Sequence, residues 1–241
     1  MIKVRLVDAH CHLHEFGDGA REFSDMLIVA VSDDLESSIR TLELAEEMSN
    51  VVPCVGVHPW EVGNLRPGEL ESLLRLVEER EVACLGEIGL DRIFCPETLE
   101  IQRRVFERLV ALGREYGLVL NLHAAGAWRE VLEVVENYDI ERAIFHWYSG
   151  PLDVLGEIAE RGYVITANPA LTINKKHARA IEAADLDHIL TESDGPYKYR
   201  GLDLNPRMVE GLVEKIARIK RTSVEQVVVR IRENARRLFG V

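Results

Sequence analysis

The sequence Val-Asp-Ala-His-Cys-His-Leu at residues 7–13 ends the first of eight short apolar segments in the chain. These segments are rich in Val, Ile and Leu, which is typical of strands that are buried on both faces of a parallel sheet. We predict strands at residues 4–9, 26–31, 51–57, 83–88, 118–123, 142–147, 163–167 and 188–193.

Longer amphipathic segments separate the strands and predict helices. They lie at residues 34–48, 68–80, 96–115, 127–138, 151–161, 174–184, 206–220 and 223–238. The first strand is followed instead by a polar, Gly-rich segment at 12–21. Eight strands that alternate with helices predict a (β/α)8 TIM barrel. The alternative, a doubly wound open sheet, usually carries a Gly-rich phosphate loop after its first strand, and the sequence has none. We find no linker or repeat and expect one domain, 1–241.

Composition excludes several classes of protein. The 241 residues are 47% hydrophobic and 29% charged, as in ordinary globular domains. A net charge of −12 argues against a protein that coats nucleic acid or anionic lipid, but not against a nucleic-acid enzyme with local positive charge. The 4 Cys residues contain no CxxC pair, so we expect reduced thiols. Without an apolar signal segment or membrane span, we expect a cytoplasmic protein with no membrane partner.

Histidines and carboxylates recur where the predicted strands end. His10 and His12 are two residues apart, so in extended chain both imidazoles point the same way and can share one metal ion. The other candidates, each at the end of a different strand, are Glu87, His123, His146 and Asp194. Because the carboxyl ends of barrel strands meet at one face, these side chains predict a metal site there. We assign structural roles to His14, His177 and His188.

The ordered motifs resemble the TatD family of metal-dependent hydrolases, which are amidohydrolase-like barrels. They stand at residues 7–13, 56–59, 86–91, 146–150, 192–197 and 234–239. The resemblance implies one metal ion on His10, His12, Glu87 and Asp194, and a second on Glu87, His123 and His146, with Glu87 as the bridge. It implies two divalent ions (Zn, Mn or Mg), a water that gives its proton to Asp194, and hydrolysis of DNA from its ends.

The sequence departs from the family around the expected substrate. Ala124 and Ala125 follow His123, where the family usually has a polar and basic pair, and His14 stands where Asp is frequent. We predict that His58, Trp60, Arg92 and Trp147 contact the substrate. In this interpretation Trp60 stacks on a base or another planar group, and Arg92 binds a phosphate.

Three functions are consistent with these residues. The first is a phosphodiesterase or deoxyribonuclease of TatD type, acting on DNA ends. The second is a metal-dependent amidohydrolase, lactonase or small phosphate-ester hydrolase on the same barrel, which the missing basic position and the net charge of −12 favour. The third is a non-catalytic binding protein that keeps the metal site as structure.

Overall fold

Eight parallel strands form one sheet in chain order in the computed structural model, which describes residues 6–80 and 82–240. The strands are β1 (Val7–Cys11), β2 (Leu27–Ala30), β3 (Val51–Val55), β4 (Cys84–Gly89), β5 (Val119–His123), β6 (Ala143–Phe145), β7 (Val164–Ala167) and β8 (Ile189–Thr191). The predicted strand positions at Val4 and Arg5 lie outside the described residues. The predicted (β/α)8 barrel is confirmed.

Contacts between β1 and β8 bring the two ends of the sheet together. The Thr191 hydroxyl donates a hydrogen bond to the Val7 carbonyl at 2.5 Å. Just beyond the strands, the Asp194 N–H donates to the His10 carbonyl at 2.9 Å. The sheet is therefore nearly closed, and the carboxyl ends of its first and last strands are neighbours.

Helices follow the strands from β2 onward. They are α1 (Leu35–Glu47), α2 (Glu69–Glu79), α3 (Leu99–Tyr116), α4 (Trp128–Asn137), α5 (Leu152–Glu160), α6 (Lys175–Ala183), α7 (Val209–Lys220) and α8 (Val224–Phe239). The Ser223 hydroxyl accepts from the Gln226 N–H in a capping box, as the spacing of these two residues indicates. Within the described parts of the chain, no helix is both long and apolar enough to cross a membrane.

Two elements depart from simple alternation. The segment after β1 is a 3-10 helix, Leu13–Phe23, in place of an α-helix. The loop after β8 contains a small antiparallel pair that was not predicted, β9 (Lys198–Tyr199) and β10 (Leu202–Asp203). Both elements lie at the carboxyl ends of their strands, where they form part of the barrel mouth.

Glycines allow β4 to approach its neighbour closely. Gly89 has φ +147°, and a Cβ there would lie 1.9 Å from the carbonyl oxygen of His123. A Cβ on Gly86 would lie 2.7 Å from the Cβ of Asn121. Side chains at these positions would push β4 away from β5. The two glycines thus bring Glu87, which lies between them, close to the residues of β5.

The expectation of four reduced cysteines is wrong. Cys54 and Cys84 form a disulfide between β3 and β4, while Cys11 and Cys95 are free. The two bonded residues are direct partners in the parallel pairing of these strands, with Cα atoms 4.4 Å apart. The register of β3 against β4 brings the two cysteines together. Because they are 30 residues apart in sequence, their spacing alone does not predict the bond.

Candidate metal centre

The carboxylate of Glu87 lies at the centre of the histidine cluster and is 1% exposed. Its Oε1 is 2.6 Å from His123 Nδ1 and 2.9 Å from His146 Nε2. Its Oε2 is 3.1 Å from His10 Nε2 and 3.4 Å from His12 Nε2. The two oxygens of one carboxylate thus face different imidazoles.

Asp194 completes the cluster from the loop after β8. Its Oδ1 is 3.5 Å from the Nε2 atoms of both His10 and His12. The residue has φ +57°, a left-handed conformation that Asp and Asn adopt more readily than most residues. The ends of β1, β4, β5 and β6, with the segment after β8, therefore supply the six predicted ligand residues.

Hydrogen bonds on the far side of the rings orient His10 and His12. The amide nitrogen of Asn121 donates to the Ala9 carbonyl, so its Oδ1 accepts from His10 Nδ1 at 2.9 Å. That contact leaves the lone pair of His10 Nε2 facing Glu87. The Nδ1 of His12 lies 3.2 Å from Asp33, and its Nε2 faces inward in the same way. Such outer partners fix the tautomer and orientation of metal-binding histidines.

Carboxylates also flank the other two histidines. The Nε2 of His123 is 3.0 Å from Asp91 Oδ2, and the Nδ1 of His146 is 3.7 Å from Glu192 Oε2. Burial by itself would raise the pKa of Asp91, but the hydrogen bond from His123 and further donors lower it to about 2. Asp91 is thus a stable anion behind His123.

His58 faces Glu87 with the opposite hydrogen-bonding character. Its Nδ1 accepts the backbone N–H of Trp60 at 3.1 Å, so the neutral ring carries its hydrogen on Nε2. That Nε2 lies 3.3 Å from Glu87 Oε1. His58 is therefore placed as a hydrogen-bond donor into the cluster, whereas His10 offers a lone pair.

The charges of the cluster favour a cation at its centre. Burial would raise the pKa of Glu87, but the surrounding imidazoles, His146 first, hold it well below the usual range. Burial would lower the pKa of His146 and of His12, but the carboxylates Glu87 and Asp33 raise both well above the usual value. The buried carboxylates thus require positive charge beside them, and a divalent cation would supply it as protonated imidazoles do.

The donor set suits a divalent metal ion. The groups whose ligand atoms lie within 4.8 Å of one another include His10, His12 and Asp194; His10, Glu87 and His146; and His58, Glu87 and His123. The Nε2 of His10 is buried and forms no hydrogen bond within the described chain. Mixed imidazole and carboxylate ligands bind Zn, Mn and similar divalent ions. These residues could therefore hold metal.

A cavity of about 730 Å³ opens above the cluster. His12, Glu87, His123, His146 and Asp194 lie among its lining residues, and aromatic side chains surround its mouth: Trp60, Phe94, Trp147, Tyr197 and Tyr199. Its lining also includes the carboxylates Glu15, Asp33, Asp34 and Glu61. Among the described residues, no Lys or Arg lines it. The mouth is thus aromatic and acidic.

Trp60 and Trp147 lie where the sequence suggests, at this mouth. The Trp60 indole is 39% exposed, and its Nε1 donates a 2.6 Å hydrogen bond to Asp91. Its ring packs edge-on against Phe94, with centroids 5.5 Å apart. The Trp147 ring, which also lines the cavity, lies 5.0 Å from that of Tyr199. Trp60 is therefore held in place while part of its ring stays open to solvent.

Arg92, which the sequence predicts to contact a phosphate, pairs with an acidic side chain and is not among the residues that line the cavity. Its Nε lies 2.5 Å from Glu130 Oε1, and Arg103 binds the other oxygen of the same carboxylate. Glu130 lies in the first turn of α4, outside the barrel mouth. The Arg92 guanidinium is therefore directed to Glu130, and Arg92 does not line the cavity.

The outer partners of the histidines were not predicted from the sequence: Asp33, Asp91, Asn121 and Glu192. Signals for two of them exist. Asp33 follows β2, the one early strand to which no candidate was assigned. Asn121 is a fully buried polar residue in the middle of the apolar strand β5. Such a residue normally requires a hydrogen-bond partner, and here the partner is His10.

Comparison with known proteins agrees with this architecture. The chain is 30% identical over 251 residues to an uncharacterized metal-dependent hydrolase of Methanocaldococcus jannaschii, with 99% of this chain and 98% of that protein covered. It is 28% identical over 265 residues to deoxyribonuclease TATDN3 of Homo sapiens, with 98% and 95% covered. The crystal structure of YJJV, a TatD homolog from Escherichia coli, superposes with a TM-score of 0.89 at 23% identity and covers 99% of both chains.

A family model gives the same assignment over nearly the whole length. The model described as TatD related DNase matches residues 7–240, which include every residue of the histidine and carboxylate cluster. The chain belongs to the TatD-related DNase family.

Proposed function

We propose that this metal-dependent hydrolase cleaves phosphodiester bonds at DNA ends with two divalent cations bridged by Glu87. The observation that carries the proposal is that the two oxygens of the Glu87 carboxylate face different histidines. Its Oε2 faces His10 and His12, and its Oε1 faces His123 and His146. A carboxylate with nitrogen donors gathered at each oxygen is suited to bridge two ions in a hydrolytic site.

The two proposed ions divide the donors between them. His10, His12, Glu87 and Asp194 would hold the first, and Glu87, His123 and His146 the second. Zn and Mn accept such mixed ligands, whereas Mg prefers oxygen donors. When bound, a pair of this kind supplies an activated water and stabilises negative charge on the oxygens of the scissile group.

Residues of the chain would supply the proton transfers and the orientation. Asp194 borders the cavity, and its carboxylate is placed to accept the proton of the attacking water. His58 would donate a hydrogen bond from Nε2 toward Glu87 or a substrate oxygen, because its Nδ1 is occupied by the Trp60 N–H. Asn121 and Asp33 would hold His10 and His12 in the orientation that metal binding needs.

The aromatic mouth supports a nucleic-acid substrate. Trp60 is 39% exposed at the mouth, and Trp147 lines the same cavity beside Tyr199. Stacking of one base on an aromatic side chain contributes about 1–3 kcal/mol. A human relative is named a deoxyribonuclease, which points to the same class of substrate.

A second candidate is hydrolysis of a small amide, lactone or phosphate ester. It is favoured by the charge of the cavity, since no Lys or Arg stands among its described lining residues. Arg92, predicted to bind phosphate, is paired with Glu130 instead. A long polyanion gains less from such a mouth than a small or neutral substrate does.

Residues 1–241 would act as one catalytic domain, with a cytoplasmic location still a prediction. The Cys54–Cys84 disulfide bears on that location. Disulfides are rare in the cytosol of mesophiles but frequent in intracellular proteins of hyperthermophiles, so this bond is compatible with a cytoplasmic location chiefly in a hyperthermophile.

A substrate panel separates the functions. The protein is stripped of metal, reloaded with Mn²⁺ or Zn²⁺, and tested on end-labelled oligonucleotides, an aryl phosphodiester, esters, lactones and amides. Cleavage of oligonucleotides from their ends supports the proposal. Turnover of only small esters or amides supports the second candidate, and no turnover with bound metal supports a non-catalytic role.

Trp60→Ala tests the stacking contact within the same assay. We expect oligonucleotide binding to weaken by about 5- to 150-fold, the equivalent of one lost base stack. The matched control is Tyr116→Ala, which removes an exposed aromatic at the end of α3 that does not line the cavity. Arg92→Ala should leave the salt dependence of binding unchanged, because its guanidinium is directed to Glu130. Equal oligonucleotide binding by Trp60→Ala and the parent would contradict the stacking role.

A further inference from the structure

We propose that a groove beside the cavity binds the phosphate backbone of the DNA strand whose end enters the cavity, with Lys176 and Arg179 as its cationic contacts. This inference rests on the proposed DNA substrate and extends it to a second binding surface. The groove has a volume of about 410 Å³. Residues 149–153, after β6 and at the start of α5, form one wall, and Lys176 and Arg179 of α6 form the other.

The groove is continuous with the cavity above the metal centre. Trp128 and Ser149 line both spaces. The Trp128 ring packs closely against Gly150, where an added Cβ would lie 2.7 Å from the ring. A strand that leaves the cavity can therefore pass over Trp128 and Ser149 into the groove.

The charge of the groove is opposite to that of the cavity mouth. Lys176 and Arg179 are exposed, and their side chains form no ion pair or hydrogen bond within the described chain. Asp153 also lines the groove, but its carboxylate lies 3.1 Å from Arg129, which balances its charge. The described lining of the cavity, by contrast, contains no Lys or Arg. The groove thus offers a polyanion the cationic contacts that the cavity lacks.

Buried hydrogen bonds hold the two walls of the groove together. His177 lies between the two cations in sequence and is fully buried. Its Nδ1 donates to the Tyr148 carbonyl at 2.7 Å, and its Nε2 accepts the Asn168 N–H at 2.9 Å. The Tyr148 hydroxyl donates to the Pro151 carbonyl at 2.6 Å. The start of α6 is thus tied to the loop after β6, so the groove is formed before a strand binds, which lowers the entropic cost of binding.

Fluorescence anisotropy of a labelled DNA strand tests the groove without any turnover. Metal-loaded protein is titrated into a single strand of about 10 nucleotides, a length typical of single-strand binding sites, whose phosphorothioate linkages resist cleavage. The affinity is measured at several salt concentrations. We expect Lys176→Ala and Arg179→Ala each to reduce the slope of log affinity against log salt by about 0.7, which is about 5-fold in affinity per tenfold change in salt.

Lys175→Ala is the matched control, since this exposed lysine precedes Lys176 in α6 but does not line the groove. It should keep the salt dependence of the parent. All three variants should melt like the parent, because the substituted side chains are exposed and form no ion pair or hydrogen bond within the described chain. An equal loss of slope in Lys175→Ala and Lys176→Ala would indicate unspecific charge and overturn the groove.

The remaining outcomes separate the groove from the proposed function. Equal slopes for the parent, Lys176→Ala and Arg179→Ala would overturn the groove, even if the parent cleaves oligonucleotides from their ends. If the strand binds through Lys176 and Arg179 but the metal-loaded parent cleaves no oligonucleotide, the proposed function fails and the groove stands.

Discussion

Two histidines at similar distances from Glu87 differ in what they can do. His10 gives its Nδ1 hydrogen to Asn121, so its Nε2, 3.1 Å from the carboxylate, offers a lone pair. His58 accepts the Trp60 N–H at Nδ1, so its Nε2, 3.3 Å away, offers a hydrogen. One hydrogen bond behind each ring thus distinguishes a metal donor from a hydrogen-bond donor.

Asp194→Asn tests the proposed proton acceptor at this scale. Asn tolerates the left-handed φ of +57° as Asp does, so the backbone should not change. We expect the turnover rate to fall by about 100-fold or more, the lower range for loss of a general base. Bound metal is measured in the same samples. A variant that keeps the parent's rate and metal content would exclude Asp194 as the proton acceptor.

At the scale of elements, β3 and β4 are joined by the Cys54–Cys84 bond, and β4 carries Glu87. The bond closes a loop of 30 residues that contains α2. In the chain-entropy model, closing a loop of this length stabilises the folded state by about 3–4 kcal/mol, because the unfolded chain has fewer conformations. The disulfide therefore stabilises the folded barrel relative to the unfolded chain, and with it the strand that carries Glu87.

We expect the double variant Cys54→Ala/Cys84→Ala to have a lower free energy of unfolding by about 3–4 kcal/mol, measured by denaturant titration. The control is Cys95→Ala, which removes a free thiol that is only partly buried. The parent unfolded in the presence of reductant should lose a similar amount. An unchanged midpoint for the double variant would show that the bond contributes no net stability.

Tyr163 ties the start of β7 to the segment that leads into β6. Its hydroxyl donates a 2.6 Å hydrogen bond to the Ile140 carbonyl, and burial raises its pKa from 10.0 to about 12. Below about pH 10 the Tyr163 hydroxyl is protonated in both the folded and the unfolded chain, and its contribution to stability is complete. Between about pH 10 and 12 only the unfolded chain loses it, so stability falls as pH rises.

The alkaline loss from this residue is at most about 2–3 kcal/mol. We expect Tyr163→Phe to have a lower stability at neutral pH but a shallower fall between pH 10 and 12 in urea titrations. Tyr116→Phe, at an exposed position, should keep the parent's slope. An identical slope in Tyr163→Phe would rule out this tyrosine as the source.

At the scale of the whole molecule, the metal cluster joins distant parts of the chain. Its side chains come from β1, β4, β5 and β6 and from the loop after β8, so an unfolded chain has no preformed site. Metal that binds only the folded state raises its stability by about 2.7 kcal/mol at 100 times the dissociation constant. Metal binding should therefore stabilise the barrel as a unit.

We expect chelation to lower the melting temperature by about 5–10 °C. This range follows because each kcal/mol shifts the melting temperature of a chain of this size by about 2–4 °C. Calorimetry with and without added Mn²⁺ measures the difference. Glu87→Gln should lose most of this metal-dependent rise, because the shared carboxylate loses its charge. Glu100→Gln, at an exposed position near the start of α3, should keep the rise. A Glu87→Gln variant with the parent's full rise would contradict the central role of Glu87.

The amino-acid sequence alone determined the alternation of strands and helices, because apolar runs and helical periodicity are local properties of the chain. The capping box at Ser223 and the pair His10 and His12 are local in the same sense. The placing of Glu87 and Asp194 at strand ends then followed from the barrel, in which all parallel strands end on one face.

The pairing of distant side chains depends on the tertiary structure. Cys54 meets Cys84 through the register of β3 against β4. Arg92 binds Glu130 because α4 places that carboxylate within reach of the guanidinium, away from the cavity. Asn121 and Asp33 acquire their roles only when β5 and the loop after β2 pack beside β1. These pairings depend on which groups compete for one partner, and the competing groups lie far apart in the chain. Packing sets the distances between them, so local sequence patterns do not predict the outcome.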